Sequence, residues 1–255
     1  MGHRTAPLIR SAPLMGTVAS IHIFDDQPDG VIDDAIATFL EEMERLEAMF
    51  STFRPTSEIS RINAGELHLL DASAEVIEVL DACTSLEHLS NGAFTVHPIG
   101  RSPTDPAGFI DPAGFVKGWA TERSSERLTA AQLQHWYVGV GGDVQTHGRP
   151  SADSPFSVAI ADPNQAGNIV VVLDVADDHA VATSGIAQRG NHIWSRSPAR
   201  HTLASITVAG PHLTWADAYA TAAFAMGDDG VQWISDRVGY EAFAVRLDGS
   251  HVTTL

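Results

Sequence analysis

The chain has 255 residues, 44% hydrophobic and 18% charged, which is enough to bury a sizeable core in one large domain or two intertwined small ones. Fifteen basic against 32 acidic residues give a net charge of −17, and so acidic a surface repels phosphate backbones, which excludes non-specific nucleic-acid binding. The single cysteine, Cys83, rules out an internal disulfide and a thiolate-rich metal site, and no run approaches the roughly 18 apolar residues of a membrane span.

The first residues, "MGHRTAPLIRSAPLMG", carry no apolar signal core, no cleavage site and no Ser or Thr at position 6 for myristoylation, so a cytoplasmic protein is expected. "LMGTVASIHIF" (Leu14 to Phe24) alternates as a strand does, and "DQPDG" turns. Apolar residues at Ile32, Ile36, Phe39, Leu40, Met43, Leu46 and Phe50 then predict a helix from Val31 to Phe50. "STFRPTS" breaks it, a short helix is expected over Glu58 to Asn63, and another long one over Ala74 to Leu89, stopped by Asn91-Gly92. Cys83 falls among Val79, Leu80 and Leu86 and reads as core.

After a Pro- and Gly-rich loop, Asp111-Pro112 reads as N-cap and first helical residue of a helix running to about Leu128. Inside it sits Lys117, the only lysine beside 14 arginines. Gly114 and Gly118 flank it on one helical face, each costing about 1 kcal/mol against Ala, as close approach of a backbone or ligand would explain. Lys117 is either a solvated survivor or a point charge that reaches a phosphate. Strands follow at "WYVGV", "FSVAIA", "NIVVVLDV", "HAVAT" and "LASITVAG". Helices are expected over Trp215 to Met226 and Asp228 to Val238, and a closing hairpin turns at Asp248-Gly249. With no repeat or linker, residues 1–255 read as a single α+β unit.

Three other stretches carry candidate chemistry. Thr214 with Asp217 three residues on fits a helix cap with an acidic N3. Asp217 and Thr221, four apart, equally fit two oxygen ligands of a hard cation such as Mg²⁺. Gly141-Gly142-Asp143 reads as a tight turn or as backbone N–H groups packed close to a ligand; neither the dinucleotide fingerprint nor a Walker A motif is present. Ser184, Gly185, Arg189 and His192 hint at a hydrolase, but G-x-S-x-G is missing and no Asp partner is evident.

In order along the chain, "MGTVASI", "FSTFRPTSEISRIN", "NGAF", "IDPAGFVKGWATE", "VGVGGDV", "ATSG", "NHI" and "SITVAGPHLTWADAYATAAFAMG" resemble the motifs of the ApbE family, the FAD:protein FMN transferases, from Met15 to about Gly227. The resemblance implies a T-fold-like α+β architecture of intertwined mixed or antiparallel sheets flanked by helices. It implies Mg²⁺-dependent transfer of FMN from FAD to a Thr or Ser of a target protein, with release of AMP. Some members instead hydrolyse FAD to FMN and AMP, and some mainly bind it. The family's metal site falls on the Gly114 carbonyl, Asp217 and Thr221. Its FAD contacts fall on Met15, Phe53, Ala93, Phe94, Thr95, Asp111, Lys117 and Ile193, and its catalytic histidine on His192. Lys117 and Asp217 then serve catalysis by neutralising and organising charge. This chain departs from the family pattern in Phe53 for Tyr, Thr95 for Asp, Gly114 where Ala is common, and Trp194-Ser195-Arg196 after "NHI".

Overall fold

A computed structural model describes residues 2–97, 108–186 and 202–254. The chain opens with a hairpin of β1 (His3–Leu14) and β2 (Thr17–Asp25). Met15 and Gly16 form its two-residue turn, with φ of 48° and 70° and Leu14 opposite Thr17. Two left-handed residues in succession match the right-handed twist of the flanking strands. The expected strand from Leu14 therefore begins three residues later, beyond this turn.

β2 buries alternate residues Ala19, Ile21, Ile23 and Asp25. Asp25 is a carboxylate in the core, and both its oxygens are used: the N–H groups of Gln134 and His135 each donate to it over 2.9 Å. That clamp sets the start of β3 (Trp136–Val140) beside β2. Gly141-Gly142, with φ of 60° and 95°, turns β3 into β4 (Asp143–His147), with Val140 opposite Asp143. β5 (Phe156–Ala161) and β6 (Ile169–Val175) form a separate antiparallel pair. β7 (Ala180–Gly185), β8 (Leu203–Gly210), β9 (Glu241–Arg246) and β10 (His251–Thr253) complete the main sheet. Its order is β1-β2-β3-β4-β7-β8-β9-β10, and every pairing among the described residues is antiparallel.

The α-helices given in full by the described residues are α1 (Asp29–Phe50), α2 (Glu58–Asn63), α3 (Ala74–Leu89), α4 (Ala113–Ala130), α5 (Leu213–Met226) and α6 (Asp228–Ser235). One core joins α1, α3 and α4 to the inner residues of β2 and β3, through Phe39, Met43, Leu86, Phe115, Ile21 and Val138. A second joins α5 and α6 to β7, β8 and β9, through Ala220, Ile234, Ala182, Val208 and Ala244. The β5–β6 pair packs Phe156, Val158 and Ile160 onto Val144, Val181 and Val245 of the main sheet. No helix among the described residues is long and apolar enough to cross a membrane.

Boundaries moved at four helices, the first being α1, which starts at Asp29 and not Val31. α4 starts at Ala113, so Pro112 rather than Asp111 is its N-cap; Asp111 still accepts the Ala113 N–H at 3.1 Å from two residues back. α5 starts at Leu213 and α6 stops at Ser235, short of Val238. β1 and β4 were not expected as strands.

Candidate active site

α4 and α5 cross at Gly118. A Cβ built there would lie 2.8 Å from both the Leu213 carbonyl oxygen and the Asp217 Cβ, so glycine alone lets the helices meet this closely. The N–H of Gly118 donates to Asp217 Oδ2 at 2.9 Å, on a residue 99 positions away.

The close approach brings Lys117 to the same carboxylate. Its Nζ lies 3.2 Å from Asp217 Oδ2 and also contacts Asp143 Oδ2, at the start of β4. Asp143 and Asp217 are 1% and 3% exposed, which makes both charges costly unless paired. Asp143 accepts the Thr183 N–H at 3.0 Å through its other oxygen. Two buried carboxylates against one ammonium leave the cluster one negative charge in excess.

Thr221 lies one turn beyond Asp217, its Oγ1 3.3 Å from Ser184 Oγ on β7. Gly114 faces it: a Cβ on Gly114 would lie 3.3 Å from Thr221 Cγ2 and 3.4 Å from Phe94 Cε2. The structure thus gathers Gly114, Lys117, Asp217, Thr221 and Phe94, and brings beside them Asp143 and Ser184 from the Gly-Gly-Asp turn and the hydrolase-like stretch. The cluster's excess negative charge and its all-oxygen donors suit a hard cation. Among the described residues no group of three His, Cys, Asp or Glu could hold a metal, so any such ion draws on hydroxyl and carbonyl oxygens as well.

The capping-box reading of Thr214 and Asp217 is overturned. His212 is the N-cap residue and makes no side-chain cap. The carboxylate of Glu122 on α4 instead accepts the Thr214 N–H at 2.8 Å, the Thr214 hydroxyl, and a contact of 2.8 Å from His212 Nδ1. Asp217 is thereby released to face α4.

The other predicted contacts come from turns and loops. Met15 sits at the β1–β2 turn, its N–H donating to Glu47 Oε2 at 3.0 Å near the end of α1. Phe53 follows that helix and is 86% exposed. Ala93 and Thr95 are buried like Phe94 between them, and the Thr95 hydroxyl accepts the His97 N–H at 3.1 Å. Asp111 precedes α4, in a segment held by a two-way clamp: Asn63 Nδ2 donates to the Ile110 carbonyl at 2.8 Å, and the Ile110 N–H to Asn63 Oδ1 at 2.7 Å. His192 and Ile193 lie outside the described residues, as does the Trp194-Ser195-Arg196 segment. Cavities of about 330 and 320 Å³ both border Glu122 and Glu126 on α4, and neither is lined by Lys117, Asp143, Asp217 or Thr221.

An antiparallel sheet flanked by helices in this order has counterparts among solved structures. The fold superposes on the ApbE protein of Thermotoga maritima with a TM-score of 0.81, 22% identity and 96% of each chain covered. For the flavin transferase ApbE of Vibrio cholerae the TM-score is 0.76, at 19% identity over 97% of this chain and 96% of that one. Residues 15–102 and 101–244 match the family model described as the ApbE family, and the chain belongs to that family. Its curated relatives include the FAD:protein FMN transferase of Haemophilus influenzae, 23% identical over 95% of this chain and 88% of that protein. A protein of the same name from Escherichia coli K12 is 25% identical over 71% of this chain, which spans 55% of its length.

Proposed function

We propose that this protein is a flavin transferase that moves FMN from FAD to a Thr or Ser hydroxyl of a target protein, releases AMP, depends on Mg²⁺, and works as one unit over residues 1–255. The observation that carries the reading is the Lys117 ammonium between buried Asp143 and Asp217, with Thr221 and Gly114 alongside. The FAD diphosphate is anionic and so is the protein, so binding needs local positive charge.

Asp217, Thr221 and the Gly114 carbonyl would hold Mg²⁺. When bound, the ion supplies neutralisation of charge on the phosphoryl oxygens. Lys117 supplies a second positive charge beside it, carried on α4. The acceptor oxygen attacks the FMN phosphorus, the bond from that phosphorus to the bridging oxygen breaks, and AMP leaves with that oxygen. His192 takes the hydroxyl proton as general base. Met15, Phe53 and Phe94 provide apolar surface for the rings, and Ala93, Thr95, Asp111 and Ile193 complete the FAD contacts. The family resemblance supports these assignments, and of them Phe53 is the ring most open to a ligand.

The deciding experiment incubates the protein with FAD and Mg²⁺, with and without a candidate acceptor flavoprotein. AMP release only with acceptor, together with a mass gain equal to covalent FMN, supports transfer. AMP and free FMN without acceptor mean that water is the acceptor and the protein is an FAD pyrophosphatase. No AMP in either mixture reduces the protein to FAD binding.

A further inference from the structure

We propose that Lys117 and the metal compete for Asp217, and that Asp143 is the positioning residue that keeps the displaced ammonium in the site. This rests on the reading of Asp217 as a metal ligand given above.

Asp217 Oδ2 already has two donors: Lys117 Nζ at 3.2 Å and the Gly118 N–H at 2.9 Å. A divalent ion on the same carboxylate would stand within a few ångströms of the ammonium, and like charges that close repel strongly at the effective dielectric of a protein site. Something has to yield, and the backbone is the least able to. α4 is locked against α5 at Gly118, and the Thr121 hydroxyl donates to the Lys117 carbonyl at 2.8 Å. The lysine side chain, a flexible four-carbon stem with a compact charge, can swing. That property separates the chain's one lysine from its 14 planar, fork-shaped arginines.

Asp143 decides where the ammonium goes. It is fixed by the Thr183 N–H at 3.0 Å on one oxygen, while its other oxygen faces Lys117. When the metal takes Asp217, Lys117 keeps Asp143 and remains beside the phosphates. The charge count then links the two ligands. The cluster is −1 by itself and +1 with a divalent ion, and the two negative charges of the FAD diphosphate return it to −1. Metal without FAD leaves a buried positive excess, and FAD without metal adds to a negative one. Each ligand is therefore predicted to bind weakly alone and tightly after the other.

The test is Mn²⁺ titration, read as loss of the free-ion EPR signal, with and without FAD and with no acceptor present. In the unaltered protein FAD should tighten Mn²⁺ binding by about tenfold or more. Lys117→Met removes the competitor, so Mn²⁺ without FAD should bind about tenfold tighter than in the unaltered protein. Asp143→Asn keeps an oxygen for the Thr183 N–H but leaves Lys117 with Asp217 alone, so Mn²⁺ without FAD should bind about tenfold more weakly, with little change in Tm. A merely structural Asp143 would show the reverse: a lowered Tm and unchanged Mn²⁺ affinity. Asp217→Ala separates the two proposals. If it binds Mn²⁺ as the unaltered protein does, the metal assignment itself fails. If it loses Mn²⁺ while Lys117→Met shows no gain and Asp143→Asn no loss, the assignment stands and the exchange is wrong.

Discussion

Replacing Gly118 with alanine tests the helix crossing that builds the site, and Gly114→Ala is its internal control. Both changes gain about 1 kcal/mol of helix propensity. At Gly118 the new Cβ would sit 2.8 Å from the Leu213 carbonyl oxygen and 2.8 Å from the Asp217 Cβ. Neither atom can rotate away, so the overpacking cost falls near the top of its usual range, about 3 kcal/mol. The net loss is about 2 kcal/mol, or a fall in Tm of roughly 4–8 °C for a chain of this size. At Gly114 the nearest atoms are a Thr221 methyl at 3.3 Å and a Phe94 ring edge at 3.4 Å, which can shift by tenths of an ångström. Gly114→Ala should therefore leave Tm unchanged or raise it by a few degrees. Thermal unfolding followed by circular dichroism reads both variants. A Gly118→Ala protein as stable as Gly114→Ala would show that α4 and α5 do not meet as described, and the placement of Lys117 beside Asp217 would go with it.

Asp217→Ala should abolish Mg²⁺-dependent AMP release; an unchanged rate at saturating FAD and low Mg²⁺ would contradict its place in the metal site. Glu122→Ala strips the side-chain acceptor from the Thr214 N–H and hydroxyl and should cost about 1 kcal/mol in urea unfolding, as loss of a helix cap does; no change would mean that water replaces it at no cost. Burial, aided by the negative charge of Glu87, pushes the Cys83 thiol well above its ordinary range, so a thiol reagent should label the native protein very slowly and one thiol per chain in denaturant. Arg45 hydrogen-bonds Glu42 and Glu75 and holds both carboxyls below the usual range. Depressed folded-state values stabilise the fold in full above about pH 4.5, and the contribution disappears as pH falls through them. Arg45→Met should thus lose stability at pH 7 but little at pH 3, by less than about 1 kcal/mol because the groups are partly open to solvent.

Periodicity located α1 because it turns one apolar stripe, Ile32, Ile36, Phe39, Met43 and Leu46, into the core. It missed β1, whose Pro7 and Pro13 and largely solvated residues carry no alternation. It missed β4 for the opposite reason. Asp143, Gln145 and Thr146 are polar yet buried, and a hydrophobic pattern cannot register them. The site was legible in part through spacing: Asp217 and Thr221 share a face because they are four apart. The mistaken cap at Thr214 came from local rules that a distant carboxylate, Glu122, overrode. Asp143 escaped notice as a ligand of Lys117 because their pairing crosses from helix to strand. The turn chemistry of Gly141-Gly142 explained the neighbouring residues without it.

The two ends of the long sheet have a consequence for how the protein behaves in a crowded solution. Among the described residues the eight-stranded antiparallel sheet ends at β1 and β10, and sheet edges are ready templates for a strand from another molecule. β1 covers one margin with a register shift between His3 and Leu8 and two prolines that cannot donate. β10 closes the other with only three residues, Thr253 followed by an N–H from Thr254 to the Ala242 carbonyl. Each border is broken or short, so the described sheet resists edge-to-edge aggregation.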